Sequence, residues 1–134
     1  MIEGLSLCWL MPCAIQDWRT RQVSNWLTLP AIALSLIARM IGWSQSPWWL
    51  IFLVTALALG LWYFDQLGGA DAKGWIAFSL LGERILLGAG LGLLVWFVIF
   101  RALRLGTTRT PGYPGYILGV FMSFLLVMYR AYAN

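Results

Sequence analysis

The chain has 134 residues, of which 61% are hydrophobic and only 10% are charged, and its net charge is +4. A soluble domain carries roughly 25% charged residues, so the composition excludes a soluble protein and indicates an integral membrane protein. The excess of Lys and Arg fits membrane topology and lipid headgroups better than nucleic acid, which we do not expect as a partner. The chain contains no histidine, which excludes Ser-His and Cys-His nucleophiles and histidine metal sites.

The first apolar segment runs from about residue 4 to 16 and ends in the polar, basic stretch Asp17-Trp18-Arg19-Thr20-Arg21. It is short for a membrane span, which needs ~20 residues. Its two cysteines, Cys8 and Cys13, lack the histidine or second cysteine pair that a zinc site needs. We expect them to be reduced thiols, and we expect no metal or cofactor.

A polar loop separates the second and third apolar segments. Ser24 and Asn25 are typical of a helix N-cap and predict a second helix from about residue 26 to 41. The third segment, 48–67, is the clearest membrane span, and Asp65 lies near its end.

The second half of the chain contains one short apolar piece and two longer segments. The short piece covers residues 72–82, and the longer segments cover 85–100 and 116–129. Three glycines of the fifth segment allow close approach of a neighbouring helix; they are Gly88, Gly90 and Gly92.

The short piece decides the topology. If it crosses the membrane, the chain has six segments and most of its cations share one side: Arg19, Arg21, Lys73, Arg101, Arg104 and Arg109. If it does not, residues 72–100 form one long interrupted helix with Arg84 in mid-membrane, where a charge is costly. The positive-inside rule favours six segments with the N-terminus outside. We therefore predict an all-α integral membrane protein of about six transmembrane helices, the fourth short, in a single domain over residues 1–134.

This topology brings two carboxylates to the same membrane face. Asp17 ends the first segment on the cytoplasmic side, and Asp71 reaches that side after the second segment crosses outward and the third returns. Adjacent carboxylates in a partly dry site share one proton, so one can activate water while the other protonates a carbonyl or a leaving amine. On the residues alone, both aspartates could equally be interfacial side chains that face water beside Arg19 and Lys73.

Two stretches carry a family resemblance. Gly68-Gly69-Ala70-Asp71-Ala72-Lys73 is similar to a Gly-x-Gly-Asp-x-Lys motif, and residues 17–28 resemble an Asp followed by basic residues and an Ile-Pro-Asn-x-Leu-Thr run. Both motifs belong to the prepilin peptidases, a family of intramembrane aspartic proteases. The stretch 111–119 also resembles the proline-rich start of that family's last helix. The resemblance covers essentially the whole chain and implies that Asp17 and Asp71 are the two catalytic aspartates.

The chain departs from the family pattern at three points. Ala70 replaces a glycine of the second motif, and its methyl group would resist a positive φ. Ser24 replaces the usual proline, which agrees with a helix N-cap at this position. The paired Cys-x-x-Cys motifs of the family's N-methyltransferase domain do not occur in the sequence, so we expect a peptidase without methyltransferase activity.

The resemblance implies substrates and a location. The expected substrates are type IV prepilin-like precursors (pilins, pseudopilins or archaellins), which carry a short basic leader followed by a hydrophobic helix. The expected reaction is leader cleavage at the cytoplasmic face of the cell membrane, by a multi-pass protein in contact with lipid. Two alternatives remain open: a small cation or proton transporter, and a non-catalytic membrane protein that binds pilin-like helices. The sequence specifies no oligomeric state.

Neighbours of the second aspartate have expected supporting roles. Gly68 and Gly69 would let the substrate or a neighbouring helix approach Asp71 closely, although a helix C-cap predicts the same residues. Lys73 either favours ionisation of Asp71 or contacts a lipid headgroup. Asp65 could tune the aspartate pair, although an interfacial structural role is favoured.

Overall fold

The computed structural model describes residues 2–20, 22–44, 46–103 and 112–133, and the regular structure in these ranges is entirely helical. Six helices occur there: α1 (Ile2–Thr20), α2 (Asn25–Met40), α3 (Trp48–Tyr63), α4 (Gly69–Leu81), α5 (Glu83–Ala102) and α6 (Tyr113–Ala133). The predicted all-helical class is confirmed for this part of the chain. Three cations of the topology argument, Arg21, Arg104 and Arg109, lie outside the described residues, as does Pro111.

Two of the described helices, α5 and α6, are long and apolar enough to cross a membrane. By contrast, α2 and α3 are apolar but contain 16 residues each, and α4 contains 13. At 1.5 Å per residue, α4 is about 20 Å long, shorter than a ~30 Å hydrocarbon core. The long apolar helices indicate a membrane protein, whereas the number of crossings stays a prediction.

The third helix ends earlier than the sequence suggested. It stops at Tyr63 rather than at residue 67, because Asp65 adopts a left-handed φ of 56°. The N–H groups of Gln66 and Leu67 then both donate to the carbonyl of Leu61, at 2.9 and 3.2 Å. Hydrogen bonds from residues beyond the helix end satisfy the last carbonyl groups of a helix in this way. Aspartate is among the residues that tolerate this backbone region best.

Gly82 separates α4 from α5. Its φ and ψ of 145° and 155° lie in a backbone region that is essentially restricted to glycine. The stretch 72–100 is therefore interrupted at Gly82, between α4 and α5. Arg84 is exposed in the first turn of α5, and whether residues 72–82 cross the membrane stays a prediction.

The chain divides into two compact units. The first contains Met1–Arg21 and Leu87–Asn134, and thus α1, most of α5 and α6. Within it, α1 packs against α6. Ring contacts join α1 to α5, since the Trp18 ring lies 6.1 Å from Trp96 and 6.5 Å from Phe100 between centroids.

Glycines bring α5 and α6 into backbone contact within the first unit. A Cβ atom added to Gly92 would overlap the backbone of Gly115 and Gly119, and one added to Gly119 would overlap the carbonyl of Gly88. The pairs Gly88/Gly92 and Gly115/Gly119 are each spaced four residues apart, as in the small-residue motifs of membrane helices. The sequence predicted close packing of α5 but not its partner glycines on α6.

The second unit contains Gln22–Leu86. Its centre is α4, which packs against both α2 and α3. Arg39 fixes the connection between α2 and α3, because its Nη1 donates to the carbonyl of Ser44 at 2.8 Å and its guanidinium lies 4.8 Å from the ring centroid of Trp48. The short helix α4 is thus packed against two neighbouring helices, which Arg39 also connects to each other.

We predict that Gly92→Ala destabilises the first unit. The new methyl group must push the α5 and α6 backbones apart, and overpacking of this kind costs roughly 1–3 kcal/mol. The measurement is the free energy of unfolding in detergent, followed by tryptophan fluorescence. Gly4→Ala is the matched control, since a Cβ atom at Gly4 of α1 meets nothing within 4 Å; an equal loss in both variants would contradict the prediction.

Candidate active site

Asp17 lies in the last turn of α1, within the first unit, and only 8% of its surface is exposed. Its Oδ2 accepts a hydrogen bond from the backbone N–H of Tyr113 at 3.1 Å. A buried carboxyl group without a donor would be costly, so this contact lets the side chain remain inside an apolar unit. The structure thereby gives the first predicted catalytic residue a buried and oriented carboxyl group.

The donor to Asp17 arises from the start of α6. Gly112 acts as the helix cap, and its carbonyl accepts the N–H groups of Gly115 and Tyr116 at 3.0 and 3.3 Å. The first N–H groups of any helix have no partner inside it, and Tyr113 carries one of them. Pro114 follows at a first-turn position, where the missing N–H of proline is harmless. The Gly-Tyr-Pro-Gly sequence thus starts α6 with one N–H pointing out of the helix, and α1 supplies its acceptor.

Aromatic rings enclose this contact. The Tyr113 side chain is only 1% exposed. Its ring meets Trp9 of α1 edge-on at 6.4 Å and Tyr116 at 5.3 Å. Edge-to-face pairs at such distances add stability beyond the area they bury. The rings hold the first turn of α6 against α1, and thus hold the N–H of Tyr113 against Asp17.

Asp71 lies in the second unit, in the first turn of α4, whereas the sequence predicted that it falls between the third segment (48–67) and the short piece (72–82). It is half-buried. Gly68 is the N-cap of α4, with φ −64° and ψ 144°, so the C-cap alternative for the glycines is wrong. The N-terminus of a helix carries a partial positive charge that stabilises a carboxylate in the first turn.

Ala70, which replaces a glycine of the family motif, is compatible with the local backbone. It lies inside α4, and Asp65 is the non-glycine residue with a positive φ in the described ranges. The expected conflict between the Ala70 methyl group and a left-handed backbone therefore does not arise. Gly69 begins α4 beneath Trp62, whose Nε1 would lie 3.3 Å from an added Cβ atom.

Lys73 joins the two resembling motifs. Its Nζ donates a short hydrogen bond to Oδ1 of Asn25, the first residue of α2. The sequence pattern placed Asn25 in a helix cap and in the first motif, but did not predict its contact with Lys73. The N-cap itself is Ser24, as predicted, but its side chain makes no capping bond. The contact ties the start of α2 to the first turns of α4, two residues from Asp71.

Asp65 is exposed in the turn after α3, where its left-handed backbone ends that helix, and its possible tuning role stays a prediction. Both cysteines are free thiols, with Cys13 buried and Cys8 exposed. Within the described ranges, no cluster of three or more Cys, Asp or Glu side chains could hold a metal ion.

The chain matches a known protein family. A model described as the type IV leader peptidase family matches residues 4–127, which includes α1 through most of α6. The chain therefore belongs to the type IV leader peptidase family. Membership implies peptidase activity, of the aspartic type that is general to the family. No curated protein and no solved structure matches the chain.

We predict that exchanging the backbone amide of Tyr113 for an ester lowers peptidase turnover at least about tenfold. The ester removes the hydrogen bond to Asp17, and a bond to an ionised group contributes ~1.5–3 kcal/mol. Incorporation of the tyrosine α-hydroxy acid by nonsense suppression makes this change without altering the side chain. The same exchange at Tyr116 is the control, because it removes a bond to Gly112 and leaves the Asp17 contact in place. Equal turnover in the two esters would argue against a role for the contact.

Proposed function

We propose that this protein is an intramembrane aspartic endopeptidase that removes the basic leader from type IV prepilin-like precursors at the cytoplasmic membrane face. Asp17 and Asp71 are its catalytic pair. The observation that carries the proposal is the buried Asp17 carboxyl group, held by a helix N-terminus in a chain that the leader peptidase family matches over residues 4–127. A buried carboxyl group is costly, so an uncharged side chain would serve better at this position if its role were only structural.

The proposed chemistry requires both carboxyl groups to act on one peptide bond. Together they hold one proton, because two like charges in a partly dry site repel. The ionised member takes a proton from water as its oxygen attacks the scissile carbonyl carbon. The protonated member gives its proton to the carbonyl oxygen, which yields a gem-diol. The carboxyl group that took the proton from water then gives it to the leaving amine as the C–N bond breaks, and a gem-diol proton returns to the other carboxylate.

The Tyr113 contact distinguishes the two oxygens of Asp17. Oδ2 accepts the backbone N–H of Tyr113, which fixes the orientation of the carboxyl group. A carboxyl group that is fixed through one oxygen presents the other in a defined direction, and such orientation is worth a large part of a catalytic barrier. The half-buried position of Asp71 leaves that side chain accessible to water.

The Asn25 contact supports a positioning role for Lys73. The ammonium group of Lys73 is bound to Asn25, which joins α4 to α2 just after the first turn that carries Asp71. In this role the lysine holds the start of α4 in place against α2. Its charge also favours a carboxylate nearby.

We predict that Asp17→Asn and Asp71→Asn each abolish leader cleavage, with losses of at least about 10²–10⁴-fold expected for removal of an acid–base group. The measurement is the mass of a tagged prepilin-like precursor after co-expression. Asp65→Asn is the matched control and should cleave like the wild type, since Asp65 is exposed in a turn. Cleavage that survives either of the first two substitutions would refute the pair, and ion flux in liposomes without cleavage would favour a transporter.

We also predict that Gly69→Val slows turnover several-fold. Val adds a branched side chain where even a Cβ atom lies 3.3 Å from the Trp62 ring, and it stiffens the start of α4. Gly60→Val is the control, because nothing lies within 4 Å of its added Cβ atom. The measurement is kcat for a precursor peptide in detergent; unchanged turnover of Gly69→Val would remove the proposed need for a mobile, close-packing glycine.

A further inference from the structure

An open groove of about 390 Å³ runs along α2 in the second unit. It is lined by Asn25, Trp26, Leu29, Pro30 and Ala33. Trp26 is 88% exposed and Leu29 is 53% exposed. The lining is therefore apolar, apart from the Asn25 amide at one end.

The shape of the groove matches a helix. Its lining residues form two adjacent rows with a spacing of four residues, one from Asn25 through Leu29 to Ala33 and the other from Trp26 to Pro30. The furrow between such rows is where a second helix inserts its own ridge of side chains. From Asn25 to Ala33 the groove is about 12 Å long, or roughly two turns of a bound helix.

The position of the groove connects it to the candidate catalytic residue. Asn25 at its polar end is hydrogen-bonded to Lys73, and Lys73 follows Asp71 by two residues in the same helix. The groove therefore begins beside the first turns of α4 and continues along α2 away from them. Its polarity runs in the same order, with the Asn25 amide bound to Lys73 at the α4 end and apolar side chains further along.

We infer that this groove is the docking surface for the apolar helix of the precursor, directly downstream of the scissile bond. The inference rests on the proposed peptidase function and adds where its substrate binds. A precursor that is cut beside Asp71 has a polar leader on one side of the cut and an apolar helix on the other. The groove offers its features in this order, and apolar helices commonly bind by laying one face into such a furrow.

The first test is photo-crosslinking in membranes. A benzoylphenylalanine is placed at Trp26 in Asp71→Asn protein, so that uncut precursor accumulates. Phe52 of α3, which is 69% exposed in the same unit, is the control position. We expect a crosslink to the precursor's apolar helix from position 26 and not from 52. Equal crosslinking from both positions, or crosslinks from position 26 to lipid alone, would overturn the inference.

The second test separates binding from chemistry. Ala33→Trp fills the apolar end of the groove, and we expect it to raise KM at least fivefold while kcat stays within twofold of the wild type. Ala56→Trp adds the same ring to an exposed alanine of α3 and should change neither constant. The unfolding midpoints of both variants are compared with that of the wild type, so that a folding defect is recognised; the crosslinking test needs no substitution at Ala33.

The outcomes distinguish this inference from the proposed function. If the wild type cleaves precursors but KM does not respond to Ala33→Trp and position 26 gives no selective crosslink, the peptidase stands and the docking surface is wrong. If the wild type cleaves no prepilin-like precursor, both are wrong.

Discussion

The hydrogen bond from the Tyr113 backbone to Asp17 solves two problems of an apolar chain at once. A helix N-terminus has N–H groups without partners, and a buried carboxyl group needs donors. Each would be costly alone in the first unit, where Asp17 is 8% exposed and Tyr113 is 1% exposed. Their contact at 3.1 Å satisfies both groups. It requires the start of α6 to keep a fixed position against the end of α1.

The position of α6 depends in turn on its backbone contact with α5. Gly88 and Gly92 let Gly115 and Gly119 approach without side chains between them, and close approach is how helices associate when lipid removes the hydrophobic driving force. Gly115 lies two residues after Tyr113, so the same first turn that packs against α5 also presents the N–H to α1. A change in the glycine contact would therefore alter the hydrogen bond between Tyr113 and Asp17.

Much of this could be read from the sequence, because hydrophobic runs and punctuation by Gly, Pro and charge indicate helices directly. The helices and their order followed from these patterns, whereas the catalytic role of the two aspartates, which the resemblance implies, stays a prediction. The exact helix ends did not. Asp65 ends α3 through a left-handed backbone, which side-chain patterns do not reveal, and α4 begins at Gly69 rather than at residue 72, so that it includes Asp71. The partners Tyr113 and Asn25 were also missed: one acts through its backbone, and the other meets Lys73 across 48 positions of sequence.

The location of both aspartates at helix ends follows from what this chain has to work with. It has no histidine and few charges, so side chains offer little with which to orient or stabilise a carboxylate. Inside a helix every backbone dipole is already paired; only the ends leave N–H groups and partial charge available. Asp17 uses the N-terminus of a neighbouring helix, and Asp71 lies in the first turn of its own. A protein this apolar can therefore stabilise a carboxylate most readily where its helices begin, which explains why the two proposed catalytic aspartates lie at breaks in the hydrophobic pattern.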